Sequence, residues 1–191
     1  MEQGNLPTQR VNISTQKMLG GIGSILILLA FIPGIGTLLG IVGIVLWLIS
    51  MYQLSNILGK PSIFQKVLIG FILNIGSMVI AFAFGLTAGI ASFTSMRNET
   101  GAILGLGLGV IVAIIVAYAI SLAAFYFYKE AYDILAQATA HNLFKIAGLL
   151  MFIGAITTIL FGLGLLLMFV GYIVLAVAFF TAPNEVEVQG T

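Results

Sequence analysis

The sequence predicts an all-α integral membrane protein of six transmembrane helices in three hairpins, and three observations carry that expectation. Apolar residues make up 61% of the 191-residue chain, charged residues make up only 7%, and the apolar residues gather into six runs parted by turn-forming or polar residues. A soluble domain holds about 25% charged and 45–50% apolar residues. With a mean hydropathy of +1.20, this chain has too little polar surface to cover a particle in water, so lipid is the solvent for most of it.

A helix needs about 20 apolar residues to cross a hydrocarbon layer roughly 30 Å thick. Against that ruler the first helix is expected over about 18–32 and the second over 37–54, joined by a turn at Pro33-Gly34-Ile35-Gly36. Proline and glycine there stop one helix and let the backbone reverse. Arg10 and Lys17 before the first run resemble the charged start of a signal peptide, but no small-x-small cleavage pattern follows. The third helix, 63–93, and the fourth, 102–128, are long enough to cross with tilt. The fifth, 146–161, and sixth, 163–181, are again short and meet at Gly162 and Gly164. Polar tails, 1–17 and 182–191, flank the six-helix domain at 18–181 and are too short for domains of their own.

Between helices four and five, Glu130, Asp133, Gln137 and His141 recur at spacings of three or four opposite Ala131, Ile134, Leu135 and Ala138. That pattern predicts a juxtamembrane amphipathic helix over 129–141 that lies at the interface or extends helix four into the cytoplasm, its polar face solvated or docking a partner. Tyr126, Tyr128 and Tyr132 are expected to anchor its start at headgroup level.

Charge placement sets the expected orientation. Six of the seven basic residues, Arg10, Lys17, Lys60, Lys66, Lys129 and Lys145, fall near helix ends that share one side, and only Arg97 falls on the other. The positive-inside rule then puts both termini in the cytoplasm of a multi-pass cell-membrane protein. Asn98-Glu99-Thr100 reads as a glycosylation sequon in the outer loop.

Sliding the chain on itself by 128 residues superposes Gly20 on Gly148, Gly34 on Gly162, Gly36 on Gly164 and Gly43 on Gly171. Chance would supply about one such coincidence. The first and last hairpins thus read as one unit used twice, a parallel repeat.

Small residues have a pattern of their own. Gly101, Gly105, Gly109, Ala113, Ala117 and Ser121 recur every four residues along helix four, and helix two carries Gly36, Gly40 and Gly43. Such seams let helix backbones approach closely in lipid, where apolar side chains gain nothing by leaving one apolar medium for another. They suit packing within one protomer or a homo-oligomeric contact. The polar residues at membrane depth are chiefly Asn74, Ser77, Thr157 and Thr158. These suit interhelical hydrogen bonding, or the lining of a path for a neutral or lipidic solute.

Several functions lose their footing. A net charge of +1 without a basic cluster leaves no electrostatic site for nucleic acid. The chain has no cysteine and one histidine, so thiolate chemistry, disulfides and a multi-histidine metal site are not expected, nor is any cofactor. Glu130 and His141, eleven residues apart, would stand about 16 Å apart along a helix, too far to share an ion. No paired ionisable groups stand in the apolar runs to perform catalysis.

The segment Leu19-Gly20-Gly21-Ile22-Gly23, followed by Phe31-Ile32-Pro33 and Lys60-Pro61-Ser62-Ile63-Phe64, resembles the opening of the mainly archaeal membrane-protein family catalogued as domain of unknown function 996. Phe144-Lys145-Ile146-Ala147-Gly148, Phe152-Ile153-Gly154-Ala155 and Val177-Ala178-Phe179 are similar to its final hairpin. The resemblance covers the two ends, about half the chain. It implies several spans, an archaeal setting and no established activity. The lack of catalytic constellations and the abundance of helix-packing seams lead to the expectation of a non-enzymatic structural or accessory component, contacting membrane lipids and either self-associated or joined to other membrane-protein subunits. The alternative is a channel or carrier for a neutral or lipidic solute.

Overall fold

In the computed structural model the chain forms six α-helices and one short two-stranded ribbon, described over residues 8–95, 100–159 and 162–189. In chain order they are β1 (Thr8–Asn12), α1 (Ser14–Leu28), α2 (Gly36–Ile57), α3 (Pro61–Ser95), α4 (Thr100–Thr139), α5 (Leu143–Thr157), α6 (Leu163–Thr181) and β2 (Glu185–Gln189). The chain divides into two compact units, residues 1–68 with 125–191 and residues 69–124.

Helices α2, α3, α4 and α6 each contain a stretch long and apolar enough to cross a membrane, and α5 is a shorter apolar helix. At 1.5 Å per residue, α1 and α5 with 15 residues each are about 22 Å long, whereas α3 with 35 and α4 with 40 reach about 52 and 60 Å. The first helix begins at Ser14 rather than at 18 because hydropathy locates the apolar part of a helix and not its first turn. Asn12 Oδ1 accepts the Ser14 N–H at 2.9 Å and its hydroxyl at 2.6 Å, starting the helix inside the polar tail. It ends at Leu28, followed by a short 3₁₀ turn, Leu29–Phe31, before Pro33. The fifth helix likewise spans Leu143–Thr157 rather than 146–161, and the sixth matches its expected bounds.

Of the two readings of the helix at 129–141, the structure has the extension of helix four. The segment is the last part of α4, which runs unbroken to Thr139. The tails also depart from expectation, because β1 and β2 pair antiparallel with Arg10 opposite Glu187 and Val11 opposite Val186. Hydropathy finds no strand in such polar segments. The alternation in Glu185-Val186-Glu187-Val188 acquires a buried side only when Val186 is covered.

Within the larger unit, α1 runs alongside α2 and α6, and α5 alongside α6. Glycine makes the α1–α2 approach close: a Cβ on Gly23 would lie 2.7 Å from Trp47 N, and one on Gly43 would lie 2.7 Å from Ile27 N. Gly171 in α6 similarly faces Met151 of α5, whose Cγ a Cβ would meet at 2.8 Å. The turns before α2 and α6 contain Gly34 at φ +92° and Gly162 at φ +77°, left-handed positions that disfavour a side chain. The core holds Trp47, Met51, Leu54, Tyr132, Leu135, Phe144, Met151, Leu175 and Phe179, all buried.

In the smaller unit Ser77 Oγ on α3 donates to the Ala117 carbonyl of α4 at 2.9 Å, and Ala113 and Ala117 are buried. Met78, Val79, Phe82, Ile111, Ile114 and Ile115 stay exposed, the pattern of helices whose surroundings are themselves apolar.

Candidate functional site

Three ion pairs among the described residues of the larger unit join Arg10 with Glu187, Lys66 with Glu130 and Lys129 with Asp133. Lys66, one turn and a half into α3, forms an ion pair with Glu130 of α4, and Tyr126 donates its hydroxyl to the other carboxylate oxygen at 2.9 Å. The Lys66 ammonium also stands 5.9 Å from the centre of the Phe127 ring, within reach of a cation–π attraction. One helical turn past Lys129, Asp133 accepts from its Nζ at 2.7 Å. In an apolar setting a charge left alone is costly, and Lys66 and Lys129 are each met by a carboxylate. Lys66 and Lys129, expected near helix ends, lie inside α3 and α4.

The polar stripe of residues 130–141 is partly to fully exposed, with Ala131 and Leu135 buried opposite it, and most of its groups are also bonded within the chain. Glu130 and Asp133 are spent on lysines, and His141, beyond the helix end, shares a 3.0 Å hydrogen bond with Thr181 Oγ1. Thr181 already donates its hydroxyl proton to the Val177 carbonyl at 2.7 Å, so His141 Nε2 is the donor. Of the four, Gln137 is exposed and the others are half-buried. The tyrosines divide too: Tyr126 is exposed, Tyr132 is fully buried, and Tyr128 meets Trp47 edge-on with ring centres 5.6 Å apart. Two of the three expected anchors are therefore packing groups. Helix periodicity gives their angular positions, but not that α2 brings Trp47 against them.

The ends of the chain meet in the same unit. Lys17 Nζ donates to the Ala182 carbonyl at 2.6 Å, at the C-terminal end of α6, where free carbonyls and the helix dipole favour a cation. Gly20 and Gly21 of α1 lie directly against the rings of Phe179 and Phe180.

The candidate polar residues are divided between the two units. Asn74 and Ser77 belong to the smaller unit, and Thr157 and Thr158 to the larger. Ser77 is bonded to Ala117 O, Thr157 to Ile153 O at 2.9 Å and Thr158 to Gly154 O at 2.7 Å. Hydroxyls so used hold helix backbones; Asn74 is half-buried. Of the small residues, Gly36, Gly40 and Gly43 are buried, the first two against Ala30 and the third against α1. Ala113 and Ala117 pack inward, whereas a Cβ on Gly109 would meet nothing within 4 Å. Gly109 borders an apolar groove of about 450 Å³ between α3 and α4, lined also by Ile80, Phe84, Val112, Ala113 and Val116. Asn98 and the surroundings of Gly101 and Gly105 lie outside the described residues. Among the described residues no three histidine, aspartate or glutamate side chains stand together as metal ligands.

What sequence reasoning missed is mainly Trp47, Lys17 and the Lys66–Glu130 pair. Lys66 did carry a signal, since an ammonium inside a long apolar run calls for a partner. The partner's position, 64 residues on, is not readable from spacing.

Residues 39–173 match the family described as proteins of unknown function, DUF996. The chain belongs to that family. An uncharacterised protein of the archaeon Methanocaldococcus jannaschii is 30% identical to this DUF996 chain over 179 residues, covering 93% of the chain and 97% of that protein. No solved structure matches. The DUF996 match takes in α3 and α4, so the likeness first visible at the two ends extends through the middle. Its apolar helices mark this DUF996 member as a membrane protein.

Proposed function

We propose that this DUF996 protein is a non-enzymatic, six-span structural or accessory component of a cell-membrane assembly, formed by its own copies or with other membrane-protein subunits. The observation that carries the reading is the contrast between its glycines. Gly23, Gly43, Gly154 and Gly171 are filled by neighbouring helices of the same chain, whereas Gly76, Gly85 and Gly109 on α3 and α4 meet nothing within 4 Å of an added Cβ. Open glycines beside exposed Met78, Phe82 and Ile111 suit a surface that another membrane helix can approach closely.

Six crossings add α1 and α5 to the four long apolar helices. Each is about 8 Å short of the hydrocarbon thickness, a deficit that local thinning and interfacial side chains absorb. Support for α1 comes from its course along α2, with Gln16 O accepting from Ser50 at one end and Ala30 meeting Gly40 at the other. The β1–β2 ribbon, which joins the two tails, supports placing both termini on one side and hence an even number of crossings. The lysine distribution favours the cytoplasmic side. The parallel repeat draws support from equivalent turn glycines and equivalent contacts: Gly36 faces Ala30 as Gly164 faces Thr158, and 128 residues separate each pair of counterparts.

The test is mass measurement of the full chain extracted in mild detergent or in native lipid discs. A discrete oligomer, or a stoichiometric second subunit, is expected; a lone monomer in both preparations overturns the proposal.

A further inference from the structure

We draw no further inference here: the strongest candidate, the apolar groove between α3 and α4 lined by Ile80, Phe84, Gly109, Val112, Ala113 and Val116, carries nothing because nothing in the structure shows what covers it.

Discussion

Lys66 on α3 and Glu130 on α4 neutralise one another at the helix ends of the larger unit, and Tyr126 completes the carboxylate's hydrogen bonding. Both side chains are a little under one-third exposed, so the pair is neither a surface ornament nor a dry core bridge. Its worth lies mostly in what happens when one partner is removed. Removing Glu130 leaves the Lys66 ammonium beside Phe127 without its counter-charge, and removing Lys66 leaves the Glu130 carboxylate with only the Tyr126 hydroxyl bonded to it.

Replacing only one member should therefore cost more than replacing both. Lys66→Met is expected to destabilise by about 1–3 kcal/mol, with partial solvent screening holding it below a buried pair's value. The double variant Lys66→Met with Glu130→Met is expected to recover much of that loss. A double-mutant cycle of thermal unfolding in detergent measures the coupling; strictly additive losses contradict the account.

The two classes of glycine should respond oppositely to alanine. Gly23→Ala or Gly43→Ala drives a methyl into backbone atoms, which cannot swing aside, and is expected to cost about 1–3 kcal/mol. Gly76→Ala meets nothing within the chain, so in the dissociated monomer it should be neutral or stabilising by up to about 1 kcal/mol through helix propensity. Melting temperatures of the purified variants separate the classes, and equal shifts in both contradict the assignment.

Helices α2 and α4 close with the same pair of backbone bonds but different residues. Lys60 N reaches back to Ser55 O across Gly59 at φ +62°, and His141 N reaches back to Ala136 O across Ala140 at φ +50°. Alanine in this left-handed position carries a steric cost of roughly 1 kcal/mol that glycine avoids. Ala140→Gly is expected to raise the melting temperature; a fall means that the unfolded chain's added freedom outweighs the relief.

The ribbon should order both termini together. Val186→Asp places a charge where Val186 is buried opposite Val11, and is expected to speed amide exchange across Thr8–Asn12 as well as Glu185–Gln189. Exchange confined to the mutated strand would show that β1 is held by something else.

A cysteine-free chain suits labelling of introduced thiols. In intact cells, a cysteine replacing Gly34 should react with an impermeant reagent added outside, and one replacing Lys60 should react only after lysis. The reverse pattern inverts the proposed orientation, and labelling of both from outside rejects the crossing of α2.

How much was legible beforehand differs from element to element. Helix six was readable to the residue, because Gly162 and Pro183 bracket a run with no polar interruption. Helix one was misplaced by four residues at each end, because Ser14, Thr15, Gln16 and Lys17 are helical yet polar. Whether a candidate small residue faces its own chain or open space was not visible: Gly43 and Gly109 look alike in sequence and differ completely in surroundings.

By itself the sequence determined the solvent of this protein, its helical composition and the sites of its tight turns. These depend on the affinity of successive side chains for lipid and on backbone freedom at single residues such as Gly34 and Gly162, both local properties. Only the tertiary structure decided that Lys66 meets Glu130, that Lys17 meets the end of α6 and that the two tails share a ribbon. Those partners are 64, 165 and more than 170 residues apart in the chain. Their meeting is set by which helices pack together, which hydropathy along one dimension does not encode.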